Sequence, residues 1–366
     1  MAKSVACSAP YGSGGLGQHF TQIVEETRSE GKLAHHYSMG VKPNDPSGRV
    51  ISVPATRWLP YSPFRYSPGW RNFLVGEWFD RALANQLIPV EEFEGFGGQS
   101  LHCFKRLRQS GCNTLCLQAA NSHVSNVARL HKQAIQQFGI ESSWLNQAQY
   151  QKTLREYEMA DVIYVASEYT RQSFLAEEID PGKLRLRVFD IHPRFQPPEK
   201  RLEDGIFRIV YTGSLTVMKG VPVLLEAFSR LPDRSVELVL VGNWATRGMR
   251  RYIQSWLARD SRIRIAPGDP LPHLHQASVY VHPSYEDGFA YAPMEALACG
   301  VPVIVTEDTG MKEYVRDGVN GFVVPTGDWE AILERLRVYQ TRPFEPVAPI
   351  PPTSEISNSI CVSTKE

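Results

Sequence analysis

An α/β fold of two open parallel sheets is what this 366-residue sequence predicts, on three observations. Apolar runs of strand length alternate with stretches of helical period through most of the chain. A strand-turn-helix unit with a glycine-containing turn occurs near the start and again just after residue 205. Between the two series lies a Pro- and charge-rich segment, "HPRFQPPEKRLEDG". A chain of this length can bury two cores. The expected division is an amino-terminal domain over 1–193, a linker over 194–204, a carboxyl-terminal domain over 205–340 and a disordered Pro- and Ser-rich tail over 341–366.

In order, "SVACSAP" reads as a strand, "YGSGGLG" as a glycine loop and "QHFTQIVEETRSEG" as a helix. That helix places Phe20, Ile23, Val24 and Thr27 on one face and stops at Gly31. Residues 41–98 are rich in Pro, Gly and aromatics and show no clean period, which suits a long surface excursion. "NTLCLQA" is a strand that delivers Ser122 and His123 to its carboxyl end. A helix over "QYQKTLREYEMA", a strand over "DVIYVAS" and a helix over "EYTRQSFLAEEI" follow. The pattern then restarts with the strand "FRIVYTG", the loop "SLTVMKG" and a helix with Leu224, Leu225, Phe228 and Leu231 on one face. "VELVLVG", "RIRIAPG", "VYVHP", "PVIVT" and "GFVVP" supply further strands. In such sheets ligands bind beyond the carboxyl ends of the strands, so function is expected in a cleft between facing domains.

Composition narrows the class. Hydrophobic residues make up 42% and charged residues 21%, which excludes disordered and fibrous proteins. Lys plus Arg equals Asp plus Glu, so a general nucleic-acid binder is not expected. Six cysteines without zinc-like pairing read as reduced thiols, and no metal site is expected. The start lacks a signal-peptide core and no run of about 18 apolar residues occurs, so a cytosolic protein is expected, with a peripheral membrane contact left open.

The chemistry concentrates in "EDGFAYAPMEALACGVPVIVT", where Asp287 in a glycine-containing loop precedes Glu295 in the following helix by eight positions. Pro293 suits a first helical position, with Ala292 as cap, which would place Glu295 at the third position near the positive helix end. Half of a capping box is the alternative explanation for Glu295, although Ala292 has no side-chain oxygen to complete it.

The forty residues "EDGFAYAPMEALACGVPVIVTEDTGMKEYVRDGVNGFVVP" closely resemble the signature of family-four retaining glycosyltransferases of the GT-B fold. "TGSLTVMKGVPVLLEAF", "EYEMADVIYVASEYTRQSF" and "GSGGLG" resemble further parts of that family, so the likeness spans roughly residues 5–335 with 41–98 unmatched. The resemblance implies a hexosyltransferase that uses a nucleotide diphosphate sugar as donor and no other cofactor. By position, Asp287 would meet the donor sugar's hydroxyls and Glu295 the ribose diol, since a carboxylate can accept two hydrogen bonds from neighbouring hydroxyls. Gly288, Phe289, Ala290 and Tyr291 would offer backbone N–H groups to the sugar and diphosphate. Lys219 would neutralise the departing diphosphate, unless it is a solvated loop lysine. Gly213 and Ser214 fall in the same donor loop, His123 matches a cleft histidine near the reacting sugar, and Gly14, Gly15 and Gly17 match the acceptor-side glycine loop.

The sequence departs from the family pattern at three places. Ser214 stands where the partner arginine of the lysine is usual, five residues before it. Losing a charged hydrogen bond costs about 1.5–3 kcal/mol, roughly ten- to a hundredfold in rate, unless Arg247 or Arg250 reaches the same diphosphate. "VFDIHPRF" replaces the usual linker motif, and the chain ends soon after "WEAILERLRVYQ", where family members continue through another helix. No D-x-D motif appears, and cationic side chains with helix dipoles can offset diphosphate charge without a metal. The acceptor, whether glycan, lipid or small molecule, is not specified by these residues. Two alternatives remain: a GT-B nucleotide-sugar epimerase, and a nucleotide-sugar-binding protein with weak or no turnover.

Overall fold

The structure is a computed structural model that describes residues 2–40, 45–341 and 345–348. Contacts divide the chain into two units, residues 1–128 with 142–189, and residues 129–141 with 190–366.

The first unit is built on a seven-stranded parallel sheet in the order β3-β2-β1-β4-β5-β6-β7. Its elements run β1 (Lys3–Ala6), α1 (Gly14–Ser29), β2 (Leu33–Ser38), β3 (Gly48–Val50), α2 (Pro68–Gln86), β4 (Glu92–Phe96), α3 (Leu101–Gln109) and β5 (Thr114–Ala119). Then come α4 (Val124–Phe138), α5 (Gln147–Met159), β6 (Val162–Val165), α6 (Glu168–Leu175) and β7 (Leu184–Leu186). One face of the central strands is apolar, and the other carries the buried Glu94 carboxylate, which pairs with Lys3 and Arg187. Val5, Phe93, Leu115, Leu117, Ile163 and Val165 are fully buried.

The second unit has a six-stranded parallel sheet in the order β10-β9-β8-β11-β12-β13. It comprises β8 (Phe207–Thr212), α7 (Val221–Ser229), β9 (Val236–Val241), α8 (Arg247–Leu257), β10 (Ile263–Ile265) and α9 (Leu271–Leu274). β11 (Val279–His282), α10 (Tyr291–Ala298), β12 (Val303–Thr306), β13 (Gly321–Val324) and α11 (Trp329–Gln340) complete it. Strand order reverses between β1 and β4 in one sheet and between β8 and β11 in the other. Each reversal opens a crevice at the strands' carboxyl ends, where the two flanking loops diverge.

Several expectations are corrected. The 41–98 stretch is not one surface excursion: it contains β3, α2 and β4, with 3₁₀ turns at Pro54–Tyr61 and Pro63–Tyr66. The helix was obscured because its buried face mixes Gly76, Glu77 and Asp80 with Phe79 and Leu83, so no clean apolar period shows. Gly14, Gly15 and Gly17 do not form a loop but begin α1. Gly17 is required there, since a Cβ would lie 2.5 Å from the Pro10 carbonyl. Residues 129–141 pack with the second unit rather than within a 1–193 domain, because Gln137 donates to the Gly327 carbonyl and Glu141 accepts from Val217 N–H and Thr246 Oγ1. Most of the expected disordered tail, and Cys361, lie outside the described residues, but Val347 is buried and donates its N–H to the Gly300 carbonyl at 3.2 Å. The five described cysteines are free thiols.

The amino-terminal end of α3 shows how buried charge is used in the first unit. Ser100 makes no side-chain cap. Instead Glu156 of α5 accepts from the N–H groups of Gly98, Ser100 and Leu101, and Asp80 of α2 accepts from those of His102 and Cys103. These acids satisfy donors a helix leaves open and meet its positive end. Lys152 then pairs with Glu77 at 2.8 Å and Asp80 at 2.7 Å. Glu77, Asp80 and His102 lie close enough together to hold a cation, but the Lys152 ammonium already sits against both acids.

Lys152→Met should therefore destabilise the protein by about 3–5 kcal/mol, the cost of leaving buried charge without its partner. Urea denaturation measures this, and an unchanged midpoint would contradict it.

Candidate functional site

The carboxyl ends of β8 and β11 bring together the residues that the sequence singled out in the second unit. After β8 the chain turns through Gly213 to Gly220, carrying Lys219; after β11 it turns through Pro283 to Ala290, carrying Asp287. The two loops touch. Gly220 adopts φ +68°, and a Cβ on it would lie 1.8 Å from the Pro283 carbonyl oxygen, so only glycine fits. Tyr285 N–H donates to the Met218 carbonyl at 2.9 Å, and Thr306 Oγ1 donates to the Ser284 carbonyl at 2.5 Å. Gly310 N–H donates to the Asp287 carbonyl at 3.0 Å.

In this frame Lys219 Nζ lies 2.6 Å from Asp287 Oδ2, and His282 Nε2 lies 3.1 Å from the same oxygen. Burial opposes the charge on Asp287, but the Lys219 ammonium and the hydrogen bond from His282 win, holding the carboxyl well below its usual range. Burial pushes the His282 ring below its ordinary value. Its Nδ1 has no hydrogen-bond partner among the described residues, so a neutral ring places its proton on Nε2, facing Asp287. Buried His131 is pushed down to about 3 by burial, with the Lys219 charge adding to the effect.

Glu295 is buried on α10, eight residues beyond Asp287. Burial pushes its carboxyl up to about 7, with Arg194 opposing and Asp269 reinforcing. The expected helix start is corrected here: α10 begins at Tyr291 with Ala290 as cap, so Pro293 is third and Glu295 fifth. A fifth-position side chain cannot complete a capping box, which removes that alternative. Phe289 is buried edge-on against Tyr291 and Tyr314, fixing the entry to the helix beside Gly288 and Ala290.

Other candidates are placed differently. Ser214 is exposed in the loop that carries Lys219, its carbonyl accepting from Tyr211 Oη at 2.8 Å, and Gly213 holds φ +137°. Arg247 is the exposed first residue of α8, and Arg250 lies over the Trp244 ring. His123 belongs to the first unit, buried against Tyr157 and Phe174, with Nδ1 accepting from Ser125 N–H and its basicity lowered by burial. Gly14 and Gly15 have nothing within 4 Å of a notional Cβ, although Gly14 has φ +64°.

Two supporting residues escaped the sequence reading. His282 had no stated role, yet it ends β11 five residues before Asp287, and a polar residue closing an apolar strand was the available signal. Glu141 lies in a polar turn with no pattern around it, but its carboxylate holds Val217 N–H at 2.6 Å and so fixes the loop that carries Lys219.

This fold, with a parallel sheet in each unit, is the GT-B fold. It is shared at TM-score 0.72 with sucrose-phosphate synthase from Thermosynechococcus elongatus, at 20% identity over 92% of this chain and 89% of that one. It is shared at TM-score 0.63 with the Anabaena protein HepE in complex with UDP and glucose, at 12% identity over 92% and 89%. Residues 194–342, about two fifths of the chain, match the family model of glycosyl transferases group 1. It is 27% identical over 155 residues to a capsular polysaccharide biosynthesis glycosyltransferase of Staphylococcus aureus, covering 39% of this chain and 41% of that protein. The chain spans about two fifths of the length of the curated relatives it matches.

The raised Glu295 carboxyl has a consequence for stability. Below about 4.5 the group is neutral folded and unfolded, and it costs nothing. As pH rises from there to about 7 the unfolded chain gives up its proton first, so stability falls, and above 7 the full cost is present. Glu295→Gln should thus stabilise the protein by about 1–3 kcal/mol at pH 8 and by nothing at pH 4. Denaturant titrations at the two pH values measure the difference.

Proposed function

We propose that this protein transfers a hexose from a nucleoside diphosphate sugar to an acceptor, with retention at the anomeric carbon as its family likeness suggests. The observation that carries this reading is the Lys219–Asp287 pair at the β8–β11 reversal, followed by Glu295 buried on the next helix.

Each group has a chemical task in this reaction. Lys219 leaves Asp287 for the diphosphate and offsets the negative charge that grows as the glycosidic bond breaks. Asp287, released from the ammonium and steadied by His282, accepts hydrogen bonds from the sugar hydroxyls. The N–H groups at the start of α10 meet the diphosphate at the helix's positive end. Glu295 receives two ribose hydroxyls, and its burial strengthens those bonds by excluding water. Arg247, at the first position of α8, supplies a second cation in place of the arginine that Ser214 replaces. These cations and helix N–H groups let the donor bind without a metal.

A reading as a donor-binding protein without turnover is favoured by Ser214 alone, since it leaves the loop one cation short.

The test is a thermal-shift screen of UDP-, GDP- and ADP-sugars, followed by assay of nucleoside diphosphate release with an acceptor panel. One donor class should raise the melting temperature. Lys219→Met should lower turnover by about 10²–10³, the usual loss when a group stabilising developing charge is removed. Stabilisation without release by the native protein would favour the binding reading. No stabilisation by any donor would refute both.

A further inference from the structure

The run from Arg49 to Arg71 exposes apolar rings to a degree unmatched in the rest of the described chain. Trp58 is 72% exposed, Tyr61 78%, Tyr66 58%, Trp70 43% and Phe64 41%, all within thirteen residues on two 3₁₀ turns and the start of α2. The rings are organised: Trp58 meets Tyr61 edge-on with centroids 6.5 Å apart, Phe64 tilts against Trp70 at 5.9 Å, and the Arg65 guanidinium lies over Tyr66.

The platform under them is fixed. Leu59 is buried, and its carbonyl accepts from both the N–H and Oγ of Ser62. Asn146, which caps α5, donates to the Gly69 carbonyl at 3.1 Å. The exposed rings are therefore displayed by an anchored segment.

Charge selects among surfaces that could cover them. Between Asp45 and Glu77 the chain carries Arg49, Arg57, Arg65 and Arg71, all exposed, and no Asp, Glu or Lys. A protein whose net charge is zero thus concentrates positive charge where it also presents aromatic rings. Trp and Tyr are the side chains that settle at the boundary between lipid headgroups and hydrocarbon, and arginines beside them reach anionic headgroups while their stems stay apolar. Four prolines in the same run, Pro54, Pro60, Pro63 and Pro68, have no N–H to leave unsatisfied when water is withdrawn. Among the described residues no helix is long and apolar enough to cross a membrane, so any attachment they provide is to a surface.

We propose that this aromatic and arginine platform seats the first unit on a membrane surface bearing anionic lipids. It goes beyond the transferase reading and does not depend on which sugar is moved.

The test is flotation of the full chain with phosphatidylcholine vesicles, with and without phosphatidylglycerol, at low and high salt. The protein should float with the anionic vesicles and be released by salt. Trp58→Ser with Tyr61→Ser should abolish flotation. Each of Arg57→Gln, Arg65→Gln and Arg71→Gln should weaken partitioning roughly fivefold, the change corresponding to ~1 kcal/mol per basic residue at an anionic surface. The substituted positions are exposed, so unchanged urea midpoints should show that folding is intact. Absence from both vesicle types would overturn the proposal, as would equal flotation of the native and ring-deleted proteins. Self-association abolished by the same ring deletions, without flotation, would overturn it in favour of a second copy covering the platform.

Discussion

The pairing of Lys219 with Asp287 across the strand reversal of the second sheet is the constraint on which the site depends. Two loops must leave adjacent parallel strands and yet return close enough for an ammonium and a carboxylate to meet at 2.6 Å. That approach is possible because Gly220 has no Cβ to strike Pro283, and because β8 and β11 are neighbours although five elements, α7 to α9, separate them in sequence. Without an anionic ligand the ammonium is retained by the acid. The pair thus keeps both charges in position while neither is left bare in a partly buried crevice.

The two units use buried charge in opposite ways. In the first, Asp80, Glu156 and Glu77 are consumed by helix N–H groups and by Lys152, so their interactions are complete. In the second, Glu295 is buried with no carboxylate hydrogen bond among the described residues; burial raises its pKa to about 7, as it also does for Glu156. Saturated charge holds elements together; an acid left short of donors is chemistry waiting for a partner.

Legibility in the sequence followed the same divide. The strands of the second unit read directly because β8, β9, β11 and β12 carry the apolar runs IVY, LVLV, VYV and VIV, and Asp287 and Lys219 sit at turns that glycine and proline mark. The first unit was harder. Its helix α2 buries Glu77 and Asp80 for partners that come from α3 and α5, and no local period encodes such long-range pairing. Glu141 was illegible for a related reason: it acts on a loop that only the fold brings near. The register of α10 was misjudged by two residues because Ala290, Ala292 and Pro293 are all acceptable near a helix start, and backbone geometry rather than residue type settled which one caps.

The segment 129–141 carries a last implication, for modularity. The family match begins at residue 194, yet the second unit completes the loop that carries Lys219 with Glu141, borrowed from far upstream. A gene fragment cut at the interdomain segment would encode the sheet, the paired charges and α10, but would strand the Val217 amide and the Thr246 hydroxyl without their acceptor. The second unit is therefore not a self-contained cassette, and evolution could exchange it between proteins only by carrying that short upstream piece along with it.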